Sequence, residues 1–187
     1  MRHAPRSRQH HGAAGNWYND NMAMKKLRIY LDTSVINFLF ADDAPEKRDI
    51  TREFFARHLR NFDAVISEIV LFELRKTRDS GKRAALIHAV EHHAIALLEI
   101  AQAKRAEIER LADAYQHHGV FPAAKREDAL HVAVCTIFAV DALVSWNYRH
   151  LANIRKQLLV NAINEQHGYN KELHLITPFE MMDENES

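Results

Sequence analysis

The chain alternates short apolar runs rich in β-branched residues with longer stretches in which apolar positions recur every three to four residues. The run Leu27-Arg28-Ile29-Tyr30-Leu31-Asp32 predicts a strand that stops on a carboxylate, and Thr33-Ser34-Val35-Ile36 turns at once toward a helix. Pro45 to Asn61 reads as a helix, with Ile50, Phe54, Phe55, His58 and Leu59 near helical spacing. Ala64-Val65-Ile66 is a short buried strand, and Ser67 starts a helix through Thr77. A break at Ser80 or Gly81 leads into a further helix ending near His93, and Ile95 to Ile100 predicts a strand. A polar helix from about Ala101 to His118 stops at Gly119. Lys125 to Val140 is apolar almost all round and reads as a buried helix. The strand Ala142-Leu143-Val144, a helix near Ile154 to His167 stopped by Gly168, and a last strand from Leu173 to Thr177 complete the series. Helices interleaved with strands too apolar to leave one face in water imply an α/β fold, a parallel sheet covered on both faces. There is no internal repeat.

Composition changes the picture at the ends of the chain. At 187 residues the chain suits one domain with a core large enough to fold without disulfides or a structural metal. Residues 1 to 23 are rich in Arg, His, Asn, Gly and Ser without apolar period, so a disordered tail precedes one domain over residues 24 to 187, and Met22 or Met24 is a candidate start. His3, His10 and His11 belong to that biased tail rather than to a metal site. Cys135 is the single cysteine; inside an apolar run it reads as a small buried hydrophobe. No apolar stretch is long enough to span a bilayer, and the N-terminus lacks the apolar centre of a signal peptide, so a cytoplasmic protein with no membrane partner is expected.

The formal net charge is zero, yet it is unevenly spread. Residues 1 to 26 carry five basic residues against Asp20, a net +4, which leaves the remainder with 20 basic and 24 acidic residues, a net −4. An acidic body argues against a general nucleic-acid coat protein, whose affinity comes from many phosphate contacts, but permits an enzyme that holds phosphate through a metal.

Three acids stand out because each is embedded in apolar sequence: Asp32 at the strand end, Glu73 in Leu71-Phe72-Glu73-Leu74, and Asp128 in Arg126-Glu127-Asp128-Ala129-Leu130-His131. Taken singly, Asp32 caps a turn, Glu73 is an exposed helix residue and Asp128 favours the positive end of its helix. Taken together, they suggest a site for Mg²⁺ or Mn²⁺, hard cations that prefer carboxylate and water oxygens. No zinc pattern competes: the pairs His92-His93 and His117-His118 lack a spacing of three or four. His131 lies three residues after Asp128 on about the same helix face and reads as a packed or hydrogen-bonded neighbour of the site rather than its base. Glu127 points about 100° away from Asp128, and Glu68 sits where a cap-related role is easiest. Ser34, Ser145 and Arg149 are candidate substrate contacts. Trp146, Tyr148, Arg149 and His150 form an aromatic and basic loop that either stacks on a base and contacts phosphate or packs the sheet end.

The segments Ile29 to Ile36, Ile66 to Leu74, Arg126 to Ala133 and Asp141-Ala142-Leu143-Val144-Ser145-Trp146-Asn147 resemble, in order, those of PIN-domain ribonucleases, and among them most closely the VapC-like toxins of bacterial and archaeal toxin–antitoxin pairs. The resemblance spans most of residues 27 to 177. It implies a PIN-like (flavodoxin-like) parallel sheet, metal-dependent RNA cleavage with Mg²⁺ or Mn²⁺, Asp32, Glu73 and Asp128 as the core acids, a cognate antitoxin as partner, and a possible homodimer. Antitoxin or dimer contacts would use the apolar helices between Ser67 and His93, where an ordinary core would produce the same stripe. The family's usual Thr-x-Asp after the fourth strand is Ser145-Trp146-Asn147 here. Asn147 brings no negative charge, though its carbonyl oxygen can still hold a metal or its water. That departure keeps open a catalytically weak PIN module that binds RNA or protein. A haloacid-type phosphatase is disfavoured because Ser34 stands where its second acid would be, and a receiver domain because Asp32 has no adjacent acid.

Overall fold

The computed structural model describes residues 25–147 and 151–183. Tyr148, Arg149 and His150 of the predicted loop, and the N-terminal tail, therefore lie outside the described residues. Five strands form one all-parallel sheet: β1 (Arg28–Leu31), β2 (Asp63–Ser67), β3 (Ala96–Leu98), β4 (Ala142–Val144) and β5 (His174–Ile176), in the order β3-β2-β1-β4-β5. β1 is central. Its Ile29, Tyr30 and Leu31 alternate in direction yet are all buried, as are all three residues of β4, which requires cover on both faces.

The connections supply that cover. From β1 the chain moves outward through α1 (Thr33–Phe38), α2 (Pro45–Glu53), β2, α3 (Glu68–Arg75) and α4 (Ser80–His92) to the edge strand β3. It then returns through α5 (Gln102–His117) and α6 (Arg126–Ile137) to β4 on the other side of β1, and moves outward again through α7 (Ile154–Gln166) to β5, followed by α8 (Glu180–Asp183). Right-handed crossovers in opposite directions place helices on opposite faces. The contacts agree: α1, α3 and α4 pack on one another with α2 against α1, while α5 packs on α6 and α7. Between β1 and β4 the direction of winding reverses, so the crevice at their C-terminal ends is the position where open α/β sheets bind ligands.

The expected elements are present with shifted limits. The helix expected over Pro45 to Asn61 is α2 followed by a wider π turn at Phe54–His58 and a 3-10 turn at Leu59–Asn61. Consecutive Phe54 and Phe55 are both buried, ring centroids 6.0 Å apart, and the wide turn lets two adjacent large rings face the core where a regular helix would separate them. The helix expected to reach Val140 ends at Ile137, because Ala139 takes a left-handed conformation (φ 49°) and the Val140 N–H bonds back to the Cys135 carbonyl. The apolar stripe of α3 and α4 is largely core: Val70, Leu74, Leu86, Ala89 and Val90 are buried. Cys135 is also buried, and burial pushes its thiol well up, as fits a packing residue. Among the described residues no helix is long and apolar enough to cross a membrane.

Candidate metal centre

Asp32 follows the last residue of β1. Its N–H still donates to the Val144 carbonyl at 3.0 Å, so the sheet ladder with β4 runs one residue beyond β1 and sets Asp32 beside Ser145 at the winding reversal. Asp32 occupies the N-cap position of α1, yet its side chain caps nothing there. The buried carboxylate turns instead to accept two hydroxyls on Oδ2, from Ser34 and Ser145, each at 2.7 Å. Both hydroxyls are themselves fixed: the Trp146 N–H donates to Ser34 Oγ at 3.0 Å, and the Asn147 N–H to Ser145 Oγ at 2.9 Å. Oδ1 makes none of these bonds and faces His131 Nε2 at 3.8 Å. A capping aspartate would spend its oxygens on helix amides; this one is held by side chains with one oxygen directed at a cluster.

Glu73 arrives from α3, whose N-cap Ser67 accepts the Ile69 N–H. Its side chain is only 23 % exposed, and Oε2 accepts from the Thr33 hydroxyl and lies 3.3 Å from His131 Nε2. His131, buried on α6, is anchored on its other side: Nδ1 is 2.7 Å from Tyr30 Oη, which is 2.7 Å from Ser67 Oγ. Asp32, Glu73 and His131 form a group whose ligand atoms all lie within 4.8 Å of one another. β1, β2, α1, α3, α6 and the turn after β4 all contribute a fixed side chain or hydroxyl to it.

The electrostatics couple His131 to the acids around it. Burial pulls the His131 pKa down, but the Glu73 hydrogen bond and the charges of Asp32, Glu73 and Asp128 outweigh it, so His131 holds its proton above the usual range. For Glu73, burial pushes up; the hydrogen bond and charge of His131, the Thr33 hydroxyl and Lys76 prevail and leave its pKa lowered. His131 thus sits between two carboxylates. Asp128 stands one turn before His131 in the first turn of α6, with Oδ2 buried and its charge felt by His131, outside the tight group of three. Two carboxylates and an imidazole suit a divalent cation; the oxygens suit Mg²⁺ or Mn²⁺, and for the ring to ligate through Nε2, the Nδ1 proton must point to Tyr30.

The remaining predicted residues fall around this core. The Ser34 and Ser145 hydroxyls are engaged with Asp32. Asn147 is half-buried next to Ser145, its backbone carbonyl accepting from the Leu151 N–H at 2.8 Å. Arg149 lies outside the described residues. Trp146 is packed rather than free to stack: it is 4 % exposed, its indole N–H donates to Thr51 Oγ1 at 2.8 Å, and its ring lies 6.0 Å from Phe38. Glu68 is paired with Arg105 across the gap between α3 and α5. Sequence reasoning gave His131 a supporting part, whereas the structure places it inside the cluster; its i+3 spacing from Asp128 was the available signal. Thr33 and Tyr30, which hold Glu73 and His131, carried no signal beyond their place at the end of β1.

The PIN-domain family model matches residues 29–156, a span that includes Asp32, Glu73, Asp128, His131 and Asn147. No curated protein matches the chain. PIN domains are generally metal-dependent nucleases, a chemistry that fits a buried acid cluster at the crevice between β1 and β4. With the match covering well over half of its length, the chain belongs to the PIN-domain family.

Proposed function

We propose that this PIN domain is a divalent-metal-dependent endoribonuclease that hydrolyses RNA phosphodiester bonds and acts as the toxin of a toxin–antitoxin pair. The observation that carries the nuclease reading is the convergence of Asp32 and Glu73 on His131 at the C-terminal crevice of the sheet. Each acid is held by hydroxyl donors rather than by a salt bridge to Lys or Arg among the described residues, which leaves negative charge for a cation. Asp32 and Glu73 would hold Mg²⁺ or Mn²⁺, with the Asp128 carboxylate of α6 and the Asn147 side-chain carbonyl as further oxygens. When bound, such an ion supplies an activated water and neutralises charge developing on the phosphodiester. The protein's own part is orientation: Ser34 and Ser145 aim Asp32, Thr33 and His131 aim Glu73, and Tyr30 fixes the His131 ring.

The test is cleavage of diverse RNAs by the purified chain with Mg²⁺ or Mn²⁺, with chelator as control. Asp32→Asn keeps the shape of the side chain and removes its charge, so cleavage is expected to vanish while the circular dichroism spectrum and unfolding cooperativity stay as in wild type. Equal cleavage by Asp32→Asn would remove the metal mechanism. The toxin assignment predicts growth arrest on expression, relieved by the product of an adjacent small reading frame. A second reading, a weak module that binds RNA or protein, is supported by Asn147 standing where the family usually has an acid. It prevails if the wild type is inert without antitoxin and Asn147→Asp cleaves.

A further inference from the structure

Beside the acid cluster, a cleft of about 490 Å³ opens between α3, α5 and α6, its walls including Phe72, Glu73, Arg75, Lys76 and Leu130. Glu73 belongs to both the cluster and the cleft, so whatever fills the cleft is contiguous with the reacting centre. The cleft contains a feature that core packing does not explain. Phe72, next in sequence to Glu73, is 60 % exposed, whereas Val70 and Leu74 of the same helix are buried. Lys76, one turn on, lies over the Phe72 ring with Nζ 4.2 Å from its centroid, and its charge is felt by Glu73. The last turns of α3 and its C-cap therefore present together an acid of the metal cluster, a largely exposed aromatic ring and a cation that lies over that ring.

We propose that Phe72 is a stacking platform for a nucleobase of single-stranded RNA next to the scissile phosphate, with Lys76 contacting the flanking backbone. The proposal rests on the nuclease reading above and names how its substrate is held. The ring, the ammonium and the acid site each have a counterpart in a nucleotide, while of the other acids lining the cleft Glu68 is paired with Arg105 and Glu127 stands on α6. An aromatic face stacks on any base, an ammonium beside it meets the phosphate, and the acid site accepts the next phosphate only through a cation. An apolar peptide would use Phe72 but has no need of Lys76. In an acidic body, where many phosphate contacts are lacking, a stacking contact supplies affinity that charge does not. Trp146, the other aromatic candidate near the site, is buried against Phe38 and Thr51.

The experiment titrates full-length wild-type protein with a fluorescent random-sequence single-stranded RNA pool, with Ca²⁺ in place of Mg²⁺ so that the carboxylates can hold an oxygen-seeking cation while cleavage is suppressed. Phe72→Ala is expected to weaken binding by about fivefold or more, and Phe72→Trp to restore it, since stacking tolerates any aromatic ring. Lys76→Gln is expected to lower the salt dependence of binding by about one phosphate contact. In turnover with Mg²⁺ or Mn²⁺, Phe72→Ala is expected to raise KM and leave kcat near wild type. Unchanged RNA affinity in Phe72→Ala overturns the proposal, as does absence of RNA binding by the parent. So does a change in mass by light scattering in Phe72→Ala with RNA affinity intact, which would make this face a contact between copies of the chain. The two readings separate cleanly: wild type that cleaves RNA with a KM indifferent to Phe72 defeats the platform alone, whereas failure to cleave defeats the nuclease reading and leaves the binding titration to decide Phe72.

Discussion

Asp32 differs from an ordinary strand-end aspartate through the two serine hydroxyls on its Oδ2. Each serine also takes a backbone N–H from the turn after β4, so the sheet end, the α1 turn and the acid form one hydrogen-bonded unit. Ser145→Ala would remove a donor to a buried carboxylate and also strip the Asn147 N–H of its acceptor. Mn²⁺ affinity is expected to fall about 10- to 100-fold, as for other groups that orient metal ligands, and calorimetric titration measures it; an unchanged affinity would show that Ser145 does not orient Asp32. His131 gives a pH signature in chelator-treated protein. Its pKa is raised in the folded state, so protonation contributes stability that is fully present below the unfolded value of about 6.5 and is lost as pH rises through the higher folded value. The Tm difference between wild type and His131→Gln should therefore be largest in mildly acidic buffer and shrink as the pH is raised. A gap that widens with pH would reverse the assigned sign.

Four helices end by the same device, in which a left-handed residue lets the following N–H bond back to the carbonyl five residues earlier: Val120 to Tyr115, Tyr169 to Asn164, Ile95 to Val90 and Val140 to Cys135. At α5 and α7 the left-handed residue is Gly119 or Gly168, but at α4 and α6 it is Ala94 or Ala139. This separates what was legible from what was not. Glycine announces a helix stop, whereas an alanine in the left-handed region is indistinguishable in sequence from a good helix former, so the sequence pattern carries the α6 helix on to Val140. The pairs make a matched prediction. A Cβ added at Gly119 meets nothing within 4 Å, so Gly119→Ala isolates the backbone penalty of about 1 kcal/mol. Ala94→Gly relieves the same penalty against the entropy glycine brings, and is expected to be neutral or stabilising by up to about 1 kcal/mol. Urea unfolding of both checks the sign: a destabilised Ala94→Gly alongside an unaffected Gly119→Ala would refute the account.

Across the whole molecule, the sheet brings together residues as distant in sequence as Asp32, Glu73 and His131, so an ion bound there ties α3 and α6 to the end of β1. Ligands that bind only the folded state raise its stability by mass action. Saturating Mn²⁺ should therefore raise the Tm of wild type and leave that of Asp32→Asn nearly unmoved by differential scanning calorimetry; equal shifts would place the ion elsewhere. A chain beginning at Met24 is expected to keep its Tm, since residues 1 to 23 have no composition from which to build core; a large loss would refute that reading of the tail. The sequence by itself determined the alternation of strand and helix and the parallel sheet covered on both faces, and it marked Asp32, Glu73 and Asp128 as candidate acids, of which Asp32 and Glu73 stand in the tight group, because buried strands and isolated acids in apolar runs are local patterns. Only the tertiary structure decided that His131 stands between two carboxylates, that Ser34 and Ser145 serve Asp32, that Trp146 is packed, and that Phe72 is left open beside Glu73. Those facts depend on which strands become neighbours where the winding reverses and on which helix faces meet, and beyond the i+3 spacing of His131 from Asp128 no spacing along the chain records them.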